Sequence, residues 1–183
     1  LCYSNEDDRK QYAKKVLAIR SRLPADDSQR FREGFIVPNL EAPGLIEARA
    51  VVGISERRRP IPTKMVDTLI NVLRPKTTGS DRIGMIIFET ASTLSDADED
   101  NLGLKTLVAA LKRIARELSV AVLLVHHTSQ AAADNLPSLN LSVADIRGGT
   151  ALAYNTRQCF LLVNLGSVDN SFPQKDVRTS LRK

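Results

Sequence analysis

Long apolar runs are missing from this sequence. No stretch approaches the ~18 residues that a helix needs to cross a bilayer, so no membrane partner is expected. No secretory signal peptide is visible. Cysteine is scarce: Cys2 and Cys159 are the whole complement. They stand far apart and lack the paired spacing of metal ligands. That argues against a cysteine-built metal site and makes a reduced, cytoplasmic setting the expectation. Each is read as a small core residue on a strand. Internal repeats and low-complexity tracts are absent as well.

What remains is the composition of an ordinary globular domain. The chain has 183 residues, 43% apolar and 26% charged, which suffices for one domain with a sizeable core. Net charge is +5 and the pI is about 9.4. This leans towards a polyanionic partner, although on charge alone a solvated basic surface is the favoured reading. The densest cluster is Arg57, Arg58 and Arg59, followed by Pro60 and Pro62. Proline fixes φ and removes a backbone donor, so a loop is predicted there. Leu1 stands inside an apolar run, and the sequence reads as a fragment or processed product.

Periodicity gives an alternation of strands and helices, as βαβ units require. Leu1 to Ser4 reads as a strand end. Asp8 to Leu23 reads as a helix with Val16, Ile19 and Leu23 on its apolar stripe. Ala25 to Glu33 is a loop or short extra helix. Short strands are predicted within Phe35 to Val37 and Ala48 to Ile54. Thr63 caps a helix to Leu73 whose apolar face is Met65, Val66, Leu69, Ile70 and Leu73. Gly84 to Phe88 is a buried strand. Asn101 to Leu118 is a strong amphipathic helix behind an acidic run, with Lys112, Arg113 and Arg116 towards its end to suit the helix dipole. Val120 to Val125 is a continuous apolar run, predicted as a strand buried on both faces. The segment 129–144 has no period and reads as a mobile loop. Thr150 to Asn155 is a short helix, and Gln158 to Asn164 a third buried strand.

The polar residues at strand ends are the candidates for chemistry, because open α/β sheets bind ligands outside their carboxyl ends. Glu6 and Asp7 follow the first strand; acids there also serve simply as helix caps. Glu89 and Thr90 close the strand MIIFE. A single carboxylate at a strand end suits Mg²⁺, which takes oxygen ligands and keeps several waters; the plainer role is a loop cap. His126 and His127 end the third strand. Adjacent strand residues point to opposite faces, which makes the pair a poor chelator. A partly buried histidine satisfied by its neighbours is the plainer reading.

The order strand-S-x-E-D-D, strand-acid, long helix, VLLVHH and R-G-x-x-A-L…R resembles RecA-fold ATPases of the RepA-like hexameric replicative helicase family. The resemblance runs from Leu1 to about Val163. It implies an α/β, RecA-like three-layer αβα core with a mostly parallel sheet, over residues 1–183 as one domain. It implies ATP and Mg²⁺ as cofactors, DNA as a partner, and a homo-oligomeric ring, possibly a hexamer, coupled to DNA replication or recombination. Residue by residue, it assigns Glu6 to activating the attacking water with Asp7 as helper. It assigns Glu89 to the metal, with Thr90 beside it at the cofactor, and a sensor role to His126 or His127. Arg147 is the candidate arginine finger and Arg157 the second. Two departures stand out: Glu89 where the family has aspartate, and Gln130 where it commonly has lysine.

No G-x-x-x-x-G-K-[ST] loop occurs anywhere in the chain. In the resembled fold that loop follows the first strand, so the expectation is a core whose phosphate-binding strand is missing and which is inactive by itself. One rival reading is a degenerate, non-hydrolysing RecA-like module that binds partners or nucleic acid. Another is an unrelated α/β hydrolase or metal enzyme using His126, His127 and the acids.

Overall fold

A computed structural model describes residues 1–4, 9–35, 50–79, 82–129, 147 and 150–160. Its centre is a parallel sheet of β1 (Cys2–Ser4), β4 (Met85–Glu89) and β5 (Ala121–Leu124), with β4 in the middle. Cys2 pairs with Ile87 and Ser4 with Glu89; Ile86 pairs with Val122 and Phe88 with Leu124. All three carboxyl ends therefore lie at one edge. Among the described residues, no strand pairs with the far side of β5.

Side chains alternate across β4. Ile86 and Phe88 are fully buried towards α3 (Lys64–Leu73) and α4 (Asn101–Leu118), which pack on each other. Val122 and Leu124 of β5 join them. The opposite face carries Cys2, Ile87 and Glu89. There α1 (Arg9–Arg20) contributes the buried Tyr12. Helices on both faces of a parallel sheet make this the α/β, RecA-like three-layer arrangement.

Two helices form where their signals are strongest. Thr63 caps α3 by accepting from the Met65 N–H at 3.2 Å, and all five predicted apolar residues are buried. Asp100 caps α4 through Oδ1, which accepts from the Gly103 N–H at 2.7 Å. Ser119 ends α4 in the left-handed region, φ 53 and ψ 43, with its N–H on the Ala115 and Arg116 carbonyls. Leu104, Leu107, Leu111, Ile114 and Leu118 put the apolar stripe of α4 into the core. Removing each such side chain from water is worth roughly 1.5–3 kcal/mol. The short α5 (Ala151–Asn155) packs on α4, and the Ala151 N–H donates to Asn101 Oδ1 at 3.2 Å.

Several expectations need correction. Val120 to Val125 is not buried on both faces: Leu123 is 41% exposed. Its inner face meets α4, whereas on the outer face of the sheet Tyr12 of α1 reaches Cys2 of β1 and Glu89 of β4. Ile19 is likewise 48% exposed on the supposed stripe of α1. Of the two readings of Ala25 to Glu33, the short extra helix is the one found: α2 (Ala25–Gly34), with no buried residue. The arginine-rich loop is the turn of a hairpin, whose β2 (Val52–Ile54) and β3 (Pro60–Pro62) pair antiparallel. Residues 158–160 have no regular structure, and Phe160 is 72% exposed. Phe35 caps the end of α2 and has no regular structure of its own; Ile36 and Val37 of the predicted strand, the loop 129–144 apart from Ser129, and the rest of Gln158 to Asn164 lie outside the described residues.

Candidate functional site at the carboxyl edge of the sheet

Parallel register sets the site. Ser4 and Glu89 lie side by side at the ends of β1 and β4. Beyond Glu89 the chain turns at once. Thr90 is 1% exposed and caps a 3₁₀ turn, 91–93, in which its N–H donates to Thr93 Oγ1 at 3.0 Å. The Glu89–Thr90 peptide is cis. Thr90 Oγ1 and Ser92 Oγ are 2.8 Å apart. The Ala91 N–H donates to the Val125 carbonyl at 3.1 Å, and the Val125 N–H to the Phe88 carbonyl at 2.9 Å. These bonds tie the acid-bearing turn to the end of β5, so the backbone of Glu89 is held on both sides.

The Glu89 side chain is held from below by α1. Tyr12 Oη donates to Glu89 Oε2 at 2.6 Å and lies 2.8 Å from Cys2 Sγ. A phenol has one proton, and the carboxylate can only accept it. The Cys2 thiol must therefore donate to the phenolic oxygen. Burial, then the bonds to Cys2 and Glu89, hold the Tyr12 phenol well above its usual range. Burial likewise raises the Cys2 thiol, partly offset by its bond to Tyr12. Both groups stay protonated at neutral pH, and Glu89 keeps one oxygen, Oε1, clear of Tyr12.

The second cluster lies past β5. His126 Nε2 is 2.9 Å from the Arg147 carbonyl, and the Arg147 N–H donates to the His127 carbonyl at 3.3 Å. A carbonyl only accepts, so Nε2 carries the proton of a neutral His126 and Nδ1 is left as an acceptor. Nδ1 is buried without a partner among the described residues. Arg147 Nε sits 2.8 Å from Glu99 Oε2, out of line for a straight hydrogen bond, so charge rather than geometry makes the attraction. Arg147 is exposed, and such a pair is worth little to stability. The two histidine rings are 6.4 Å apart and tilted by 47°; His126 is half-buried and His127 exposed.

The sequence candidates divide accordingly. Glu89 and Thr90 occupy the turn after β4. His126, His127 and Arg147 form the cluster after β5. Arg157 is exposed beyond α5. Glu6, Asp7 and Gln130 lie outside the described residues. Sequence reasoning missed Tyr12 and Glu99. Tyr12 was legible in principle: extending the stripe of Val16, Ile19 and Leu23 back by four residues reaches it. Glu99 carried no signal beyond membership of an acidic run.

The donor set suits a hard cation better than a soft one. Among the described residues no three His, Cys, Asp or Glu side chains converge, whereas one carboxylate with neighbouring hydroxyls is what Mg²⁺ commonly takes alongside water. Glu89 Oε1 is a carboxylate oxygen of that kind, and the Thr90 and Ser92 hydroxyls follow it in the turn. A triphosphate does not fit in the same way. It needs backbone N–H groups at a helix N-terminus and a lysine, and that motif is absent from the chain.

No helix among the described residues is long and apolar enough to cross a membrane. No curated protein matches the chain. The family model for the AAA domain matches residues 1–133, which takes in β1, β4, β5 and both strand-end acids. Parallel strands ending in this acid-and-histidine edge, together with that match, show that the chain belongs to the AAA domain family of ATPase-type nucleotide-binding modules.

Proposed function

We propose that this protein is the core of an ATP-driven, DNA-associated motor of the RepA-like helicase type, working as a ring oligomer. The observation that carries the reading is the shared edge: Glu89 after β4 and His126 after β5 flank the place where open parallel sheets bind ligands. In this reading Glu89, with Thr90 beside it, holds Mg²⁺. The bound cation would neutralise charge on the phosphates. Tyr12 fixes the Glu89 carboxylate so that Oε1 is the oxygen presented. Glu6, with Asp7, orients water at the neighbouring strand end. His126 Nδ1 accepts from a donor arriving at the site, and the Nε2 contact to Arg147 passes its position on. Arg147 acts across a subunit interface, released from Glu99; Arg157 is the second arginine for that role. The phosphate cradle has to be supplied in addition to these residues, since they contain no glycine-and-lysine loop.

The test is made on an assembled ATPase carrying that cradle. Glu6→Gln should slow turnover far more than it weakens ATP binding, because its carboxylate acts on water. Arg147→Ala should abolish stimulation by oligomerisation while sparing binding. A Glu6→Gln protein with unchanged turnover would remove Glu6 from the mechanism. The second reading, a non-hydrolysing module, is favoured by glutamate at Glu89 and glutamine at Gln130; ATP binding without turnover in the assembled protein would select it.

A further inference from the structure

The β2–β3 hairpin is not used by the nucleotide site, and its chemistry is concentrated at its tip. Ser55 to Arg59 form the turn: the Ser55 N–H donates to the Arg59 carbonyl at 2.8 Å, the Arg58 N–H to the Ser55 carbonyl at 2.8 Å, and the Arg59 N–H to Ser55 Oγ at 3.1 Å. Arg58 sits in the left-handed region, φ 55. Arg57, Arg58 and Arg59 are all exposed. Glu56 is the one acid in the turn, so the tip carries net charge +2, three arginines less one glutamate.

The other end of the hairpin is anchored beside the site. Val52 pairs with Ser95, and the Asp96 N–H donates to the Val52 carbonyl at 2.9 Å, just beyond the turn that follows Glu89. Val52 is fully buried, while Ile54, on the same side of the strand, is 54% exposed. Both strands lie against α4, and exposure begins at Ile54, so the part that projects is the tip. The hairpin's outer edge is closed to strand addition. The bonded pairs are Val51–Thr63 and Ser55–Arg59, so Pro60 and Pro62 fall at positions facing away from β2. A free edge lacking those N–H groups is a poor template for a partner's strand. The tip has no aromatic or aliphatic side chain to enter a bilayer.

We propose that this hairpin is a nucleic-acid contact, in which Arg57, Arg58 and Arg59 bind backbone phosphates. The tip presents three exposed guanidinium groups side by side in sequence, and guanidinium groups pair with phosphate through parallel donors. The contact rests on the nucleic-acid part of the function proposed above and is independent of nucleotide turnover. It is sequence-neutral, because phosphates carry no base information.

The experiment measures binding of the protein to a fluorescent mixed-sequence DNA duplex by anisotropy across a salt series, with vesicles containing anionic lipid in parallel. The variant is Arg57→Gln, Arg58→Asn, Arg59→Gln, with asparagine chosen because it tolerates the left-handed backbone at Arg58. Unchanged melting temperature confirms that the fold is intact. The expected result is weaker duplex binding and a log–log salt slope reduced by about 0.9 for each phosphate that the variant no longer neutralises. Arg57→Lys with Arg59→Lys keeps the charge and should keep most of the slope. Equal duplex binding by wild type and triple variant would overturn the hairpin contact while leaving a DNA-associated motor standing. Binding to vesicles but not duplex, or no duplex binding by the wild type, would overturn both.

Discussion

At the scale of single residues, the Glu89 carboxylate depends on Tyr12, which also bonds Cys2. Tyr12→Phe removes the donor to Glu89 and the acceptor for Cys2 while keeping the ring. A hydrogen bond to a charged group is worth about 1.5–3 kcal/mol, so urea unfolding should show a loss of that order. The pH dependence has a defined sign. Tyr12 and Cys2 both have folded pKa values raised above their ordinary 10.0 and 9.0. Their contribution is fully present below those values. It is lost as pH rises from about 9, where the unfolded chain releases protons that the folded chain retains. Stability should therefore fall with alkali in the wild type and fall less steeply in Tyr12→Phe; parallel curves would show that the cluster is not responsible. Glu89 was legible as an acid at a strand end. Tyr12 was legible as a stripe residue of α1, but its bond to Glu89 was not, because a contact between residues 77 apart in sequence leaves no local pattern.

At the scale of elements, α4 offers two opposite tests. Ser119 is held left-handed at φ 53, a conformation that costs a non-glycine residue roughly 1–2 kcal/mol. Ser119→Gly should recover part of that and raise the urea midpoint. Gly103 faces the other constraint: a Cβ there would lie 2.1 Å from the Asp98 carbonyl oxygen. Gly103→Ala should destabilise by about 1–3 kcal/mol, the usual cost of overpacking, despite alanine's better helix propensity. An alanine variant as stable as wild type would show that the Asp98 loop yields freely. The residue boundaries of α3 and α4 were legible because cap, stripe and terminator agree there. The hairpin was not. Pro60 and Pro62 read as loop punctuation, and only the pairing of Val51 with Thr63 and Ser55 with Arg59 reveals that both prolines sit harmlessly on an outer edge. The apolar run of β5 misled in the other direction, because hydrophobicity records what a strand can bury and the helices decide how much of it they cover.

At the scale of the whole molecule, the parallel sheet places Glu89 and His126 at one edge, and the chain belongs to a family of ATPase-type nucleotide-binding modules. The roles proposed for Glu6, Asp7 and Arg147 rest on an ordered set of short motifs, since each motif taken singly has an ordinary structural explanation. The central claim is that this edge completes an ATPase site whose phosphate cradle is not within residues 1–183. The most direct measurement is ATP affinity and turnover, taken side by side, for the 183-residue chain and for a polypeptide that joins it to a strand bearing a G-x-x-x-x-G-K-[ST] loop. The expected outcome is negligible hydrolysis by the first, and Mg²⁺-dependent binding and turnover by the second that Glu89→Gln impairs. Robust hydrolysis by the 183-residue chain itself, or full activity of the Glu89→Gln protein, would contradict it.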